Sequence, residues 1–430
     1  MADLILAHGT VINREGKLLS DRHVLVRDGQ ILAVNEGPLP AAGKVVDCTG
    51  CFITPGLVNL HTHTPMVLFR GFAEDVSIND WFNTRIWPYE SRLTPDDVYT
   101  GARLAIVEMI ENGVTAFADH YFEAGRIADA IIETGIRAEL SPTIFGLGEG
   151  VEEAIDAAAD LIQQRRNENS RLTFRMGPHA PYTCPAPVLQ AIVRRAKELG
   201  VGVHIHASET SVQVTESLRD QGMTPFEVLA GAGIFDLPVT IAHGLWLEES
   251  DLRFLTPDTW FAACPKTYLK LAAGEGNLWN FHDRLNVAIG TDGAASSNTL
   301  NPLEQARLWA LVGKQTSGRA DRFLLEEAWR LLMNGHRAMG LPTGDVSEGY
   351  EADLVVWDLQ QPNTAPVHNP LAALIYSAES RNVRDVLVQG RFLKQDFRVV
   401  SLDAREALAA ADHAARLLFN EGPGQAKVTY

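Results

Sequence analysis

Only four cysteines, Cys48, Cys51, Cys184 and Cys264, are spread over 430 residues. They are too few and too scattered for the disulfide framework of a small secreted domain. Cys48 and Cys51 form a C-x-x-C, but within VVDCTGCFITPG, an apolar, turn-containing approach to a strand with no second ligand pair nearby. That context predicts two buried small residues, not a zinc or redox pair. No run of about eighteen apolar residues is present to span a membrane. The apolar stretch in MADLILAHGTVINREGK is too short for a signal peptide and lacks its basic leader. Basic runs are missing as well, and 37 Lys+Arg against 54 Asp+Glu give a net charge of −17. Nucleic acid and anionic membranes need a positive field, so neither is an expected partner. The expectation is a cytoplasmic chain that acts on a small molecule.

What the chain does have is a change of pattern. Its first fifty-odd residues hold β-branched runs broken by Asn, Asp and Gly, as in DLILAHGTVIN and HVLVRDGQILAV. After Pro55–Gly56, short apolar strands alternate with longer helical stretches. Eight strands are predicted: 56–63, 115–120, 137–143, 174–180, 202–208, 239–244, 259–265 and 286–293. Intervening helices end on capping glycines such as Gly113 and Gly200. Eight such units predict an α/β fold, a (β/α)₈ TIM-like barrel over 55–345. Strand patterns return in YEADLVVWDL and NVRDVLVQGRFL, so 1–54 and 346–430 are expected to form one small β-sandwich domain from both ends of the chain. Residues 402–419, with 3.6 periodicity, should be a helix.

Barrel enzymes place their chemistry at the C-terminal ends of strands. Those ends carry His61 and His63 (first strand), Asp119 and His120 (second), His179 (fourth), His206 followed by Glu209 (fifth), His243 (sixth) and Asp292 (eighth). In His61-Thr62-His63, residues i and i+2 share a face, so both imidazoles should point into the barrel mouth. With His206 and Asp292 they would make an N₃O site for one divalent ion, zinc first and Fe²⁺ or Mn²⁺ as alternatives, with a position left for water. His204 shares a face with His206 but sits deeper, and is expected simply to pack within the barrel. Asp119 could orient a ligand histidine.

The segments GLVNLHTHTPMVLFRGFAEDVSINDWF, GPHAPYTC, HIHASET, AHGLW and GTDGAASSN together resemble the amidohydrolase superfamily, within it the methylthioadenosine/S-adenosylhomocysteine deaminase and triazine hydrolase group. The likeness runs over nearly the whole chain and includes EGYEADLVVWD in the flanking β domain. It implies a homo-oligomeric hydrolytic deaminase that attacks an amidine carbon in a purine-like ring. Asp292 would be the general base, His243 would orient the water and Glu209 would protonate a ring nitrogen. Glu90, in IWPYESRL, would accept two ribose hydroxyls, His179 would donate to the purine, and Trp81 would wall the pocket.

The sequence departs from that pattern in three places. Ala138 to Ile162 contains no Arg or Lys, so no clamp is expected for the carboxylate of S-adenosylhomocysteine, and a neutral 5′ group is favoured, as in methylthioadenosine or adenosine. After the seventh strand, the segment Cys264-Pro265-Lys266-Thr267-Tyr268 has Thr-Tyr where the pattern has Ser-Asn, and the loss of that pair with the gain of Tyr268 is expected to reshape a pocket wall. His120 replaces an expected apolar residue, either as a substrate contact or paired with Asp119. Three alternatives stay open. A binuclear site would need a lysine in FRMGPHAPY, which has none; the other two are a hydrolase or deaminase of another N-heterocycle (triazine, pterin, guanine or cytosine) and a non-catalytic scaffold.

Overall fold

The computed structural model describes residues 2–426 and 430. All eight expected barrel strands are present: β1 (Leu57–Thr62), β2 (Val114–Tyr121), β3 (Arg137–Ile144), β4 (Leu172–Phe174, resumed at Gly177–Pro178), β5 (Val203–Ala207), β6 (Val239–His243), β7 (Thr259–Ala263) and β8 (Asn286–Ile289). They pair in parallel as two four-stranded halves, β1 to β4 and β5 to β8. Two short seams close the barrel. Met176 bridges Val203, and Thr291 and Asp292 both donate backbone N–H to the His61 carbonyl at 3.0 Å. β4 is interrupted at 175–176, where Met176 turns its N–H to the Gly202 carbonyl at 3.0 Å; where pairing resumes, Gly177 lies so close to β3 that a Cβ would stand 2.6 Å from the Pro142 carbonyl oxygen.

Small and apolar side chains fill the barrel beneath the site: Val58, Leu60, Ala116, Ala118, Ala262 and Ala288, closed off by Trp260 and Met339. The helix Pro95–Glu111 opens on a Thr94–Asp97 capping box, and the glycines expected to stop helices, Gly113 and Gly200, do adopt positive φ.

Both ends of the chain contribute to a single nine-stranded sheet. Phe52–Pro55 lies between Ala2–Ile12 and the returning strand Leu354–Trp357. The ladder is continuous, and it curls so that Gln30 meets Glu351. Its two halves enclose one core that includes Leu6, Val24, Ile53, Leu354 and Leu387. The two layers of the expected sandwich are thus one folded-over sheet. Buried Arg137, at the start of β3, joins barrel to sheet through Asp353 at 2.9 Å and Glu351 at 2.6 Å. The last helix spans Ala404–Glu421 and lies against Pro95–Glu111, with Arg103 paired to Glu406 at 2.6 Å. Cys48 and Cys51 are buried and free, and the Arg384 guanidinium reaches both sulfurs, at 3.3 and 3.4 Å. Among the described residues no helix is long and apolar enough to cross a membrane.

Candidate metal centre and its chamber

At the C-terminal mouth of the barrel the ladder between β1 and β2 slips register between Asn59 and Thr62, and just there His61 and His63 come together, ring centroids 4.7 Å apart. Each of the three expected ligand imidazoles has its Nδ1 occupied. His63 Nδ1 donates to the His120 carbonyl at 2.6 Å, and His206 Nδ1 to the His179 carbonyl at 2.8 Å. A carbonyl can only accept, so both rings must carry a proton on Nδ1, which leaves Nε2 as the nitrogen available to a metal. His61 Nδ1 lies 3.0 Å from His204 Nε2, which sets its tautomer the same way when His204 accepts.

The three Nε2 atoms converge. Those of His63 and His206 are 3.4 Å apart, and Asp292 Oδ1 is 3.2 Å from His63 Nε2 and 3.7 Å from His61 Nε2. Two ligands about 2.1 Å from one tetrahedral ion lie about 3.4 Å apart, so the spacing suits a single divalent ion. His61 Nε2 is buried with no hydrogen-bond partner, a costly state for a lone pair unless a cation meets it. Burial lowers His61 to about 3. It would lower His63 too, but the Asp292 carboxylate raises that ring to about 9, a sign that the cluster draws in positive charge. The residues present therefore fit a metal. His61, His63 and His206 form one compact donor group and His61, His243 and Asp292 another.

Asp292 is held on both sides. Oδ2 accepts from Ser296 at 2.7 Å and Thr267 at 3.0 Å, and Oδ1 accepts from the Gly293 N–H at 2.7 Å. Although burial alone would raise it, His61 and His63 hold its carboxyl well below the usual range. Asp292 and His243 both adopt left-handed backbone, φ 60° and 70°, strain of the kind that collects at functional sites. His243 Nε2 stands 3.7 Å from Glu209 Oε1. Glu209 itself is buried, and burial raises its pKa. Its N–H donates to Gln213 Oε1 at 3.0 Å, and Gln213 Nε2 leans back on its carboxylate at 3.5 Å.

These groups open into a chamber lined by Trp81, Glu90, His120 and His179 together with His63, His206, Glu209, His243 and Asp292. Every site residue expected from sequence except His61, which is wholly buried beneath the others, lines this one chamber. Three expectations need correction. His120 does not pair with Asp119; its Nδ1 meets Thr143 Oγ1 at 2.8 Å and its Nε2 the Pro178 carbonyl at 3.2 Å. Asp119 binds Thr64, through the backbone N–H at 3.0 Å and the hydroxyl, and so fixes the residue after His63 instead of an imidazole. Tyr268 does not form a wall. It is buried behind His243, its hydroxyl accepting from the Cys264 N–H at 2.9 Å, while its neighbour Thr267 is the residue that reaches Asp292.

His204 does more than pack, because among the described residues it is the one side chain that meets His61 Nδ1. Replacing it with alanine should weaken metal binding by about 10- to 100-fold, read by competition with a chromophoric chelator. His204→Gln, which keeps an acceptor, should recover part of the loss; an unchanged affinity in the alanine variant would refute the role. Two further residues escaped the sequence reading. Tyr121 donates to Glu90 Oε1 at 2.6 Å, and Thr183 holds His179 Nδ1 at 2.8 Å. Each lies within four residues of a strand-end histidine, the one signal that could have drawn attention to it.

Comparison with known proteins extends the likeness of the motifs to the whole chain. The Amidohydrolase family model matches residues 52–393. The 5-methylthioadenosine/S-adenosylhomocysteine deaminase of Pelotomaculum thermopropionicum is 36% identical over 431 residues, 98% of this chain and 100% of that protein. The crystal structure of an adenosine deaminase from Xanthomonas campestris with bound zinc superposes with a TM-score of 0.93 at 30% identity, covering 97% of this chain and 99% of the other. The zinc-complexed atrazine chlorohydrolase of Arthrobacter aurescens, at 22% identity and a TM-score of 0.88 over 96% of this chain and 100% of its own, shares the fold.

Proposed function

The chain belongs to the amidohydrolase family, and from that premise we propose that it is a zinc-dependent deaminase of a purine nucleoside with an uncharged 5′ group, of the adenosine or methylthioadenosine type. The observation that carries this reading is the pairing, in one chamber, of a buried acid beside the donor cluster (Glu209) with a second buried carboxyl (Glu90) held by Tyr121. The first suits proton delivery to a ring nitrogen; the second suits a pair of ribose hydroxyls.

His61, His63, His206 and Asp292 would hold a divalent ion, which would supply Lewis acidity enough to lower the pKa of water from about 15.7 to about 7. Asp292 would take a proton from the attacking water, and His243 would orient that water's oxygen toward the amino-bearing carbon. As the oxygen bonds to that carbon, the C=N electron pair moves onto the ring nitrogen, which takes the Glu209 proton. Asp292 then returns its proton to the amino group, the C–N bond breaks, and ammonia leaves. Glu209 recovers a proton from the new hydroxyl as the C=O forms. Water and the amidine have become an amide and ammonia.

Support for an uncharged tail comes from the cavity adjoining the chamber beyond Glu90 and Phe145, lined by Glu123, Glu149 and Leu147 among others and by no Lys or Arg. A tail carboxylate there would face glutamates with no compensating cation, which costs more than the site could return.

The deciding experiment is ammonia release from adenosine, methylthioadenosine, S-adenosylhomocysteine, guanine, pterins, cytosine and triazines. The first two should turn over and S-adenosylhomocysteine poorly. Glu90→Gln should then raise the nucleoside KM by about tenfold or more, as expected for a lost charge-assisted hydrogen bond, with a smaller change in kcat. Turnover confined to rings without ribose, or an unaltered KM in this variant, would make the nucleoside reading wrong.

A further inference from the structure

Beyond the helix Ala404–Glu421 the Gly424 N–H donates to the Pro88 carbonyl at 2.8 Å, and Tyr430 is seated between Phe82 and Tyr182. The Tyr430 backbone is fastened to Asn83, whose Oδ1 accepts from Tyr430 N at 2.8 Å and whose Nδ2 donates to the Tyr430 backbone oxygen at 3.4 Å. Its ring stacks on Phe82 with centroids 4.6 Å apart and planes within 10°, and meets Tyr182 edge-on at 5.8 Å. Phe82 and Tyr182 both line the chamber. The hydroxyl lies 2.8 Å from Thr210 Oγ1. Thr210 follows Glu209 directly and caps the helix Ser211–Gln221 by accepting from Gln213 N, and Gln213 is the residue that grips Glu209.

From this geometry we infer that Tyr430 is a positioning residue for Glu209: its hydroxyl steadies the Thr210–Gln213 turn that aims the acid, while its ring props the aromatic wall formed by Phe82 and Tyr182. The inference rests on the reading of Glu209 as the proton donor. Burial pushes the Tyr430 hydroxyl up to about 12, so it keeps its proton and can act as the donor throughout the neutral range. The two functions separate by atom. The hydroxyl acts on the chemical step through Glu209, and the ring acts on the shape of the chamber.

Two substitutions test it in the zinc-loaded full chain. Tyr430→Phe keeps the ring stack and loses the bond to Thr210; kcat for the best nucleoside should fall about fivefold, the worth of one ordinary hydrogen bond, with KM unchanged within about twofold. Tyr430→Ala should show the same loss in kcat and, in addition, a KM raised about tenfold, because Phe82 and Tyr182 lose the face they pack on. Wild-type kcat in Tyr430→Phe would overturn the proposal, and so would wild-type KM in Tyr430→Ala. Amide hydrogen exchange over 209–215 provides a readout independent of turnover and should quicken in Tyr430→Phe. Unchanged exchange would break the inferred tie even if the enzyme is a nucleoside deaminase. Quicker exchange in a protein that deaminates none of the compounds would fault the deaminase reading and uphold the tie.

Discussion

Asp292→Asn should lower kcat by about 10⁴-fold, the upper range for removal of a positioned general base, while much of the bound metal stays. The reason lies in the hydrogen bonds around the carboxylate. Oδ1 accepts from the Gly293 N–H, a fixed donor, whereas Oδ2 accepts from the hydroxyls of Ser296 and Thr267, which can rotate to become acceptors. An asparagine there will turn its oxygen toward Gly293 and the imidazoles and its NH₂ toward the hydroxyls. The metal-facing oxygen is kept; the negative charge and the basic lone pair are not. Asp292→Ala removes both, and should lose metal as well as turnover. Metal content by atomic emission, set beside single-turnover rates, separates the ligand from the base. If the asparagine variant kept full metal and more than about one hundredth of wild-type kcat, the least loss expected for a general base, the proton would have to go elsewhere.

Glu209→Gln should cost about 10³-fold in kcat, in the middle of the range for a general acid, and should also change the shape of the pH profile. Burial raises the Glu209 pKa above the ordinary carboxyl value, although His243 works against it. Only the protonated acid can give its proton to the ring nitrogen, so kcat/KM should fall as pH rises through that raised value. Glutamine preserves the size of the side chain and the contact with Gln213, so the fold should be untouched. It cannot titrate, so the decline at high pH assigned to Glu209 should vanish from the residual activity. A variant that retained this limb would shift the acid role to another group.

The parts of the fold that the sequence revealed are those set by local pattern. Apolar runs of strand length alternating with capped helices mark β1 to β8, and histidines at the strand ends mark the donor cluster. What stayed hidden depends on how the barrel closes. His61 and His204 are 143 residues apart, and no periodicity links them; only the barrel curvature that brings β5 behind β1 does. The expected Asp119–His120 pair failed for a reason of strand geometry, since successive side chains point to opposite faces. His120 accordingly lines the chamber while Asp119 serves Thr64. Tyr268 was misplaced because the short helix Pro265–Lys270 turns it inward, under His243, and presents Thr267 to Asp292 instead. Nor could pattern reveal Tyr430, which sits 220 residues from Thr210 and belongs to no regular element.

The division of the barrel into two four-stranded halves has a consequence for the folded state itself. His61 and His63 come from one half, His206 and Asp292 from the other, so the ligand set spans the gap alongside the two seams and cross-bonds such as Asn59–Thr291 and His61–His204. An ion bound there is a rivet through both shells. Its binding energy is then shared with folding: free ion at about a thousand times its dissociation constant adds roughly 4 kcal/mol to the intact barrel. The trace-metal supply of the surroundings would thereby regulate how much of this protein survives as well as how fast it works.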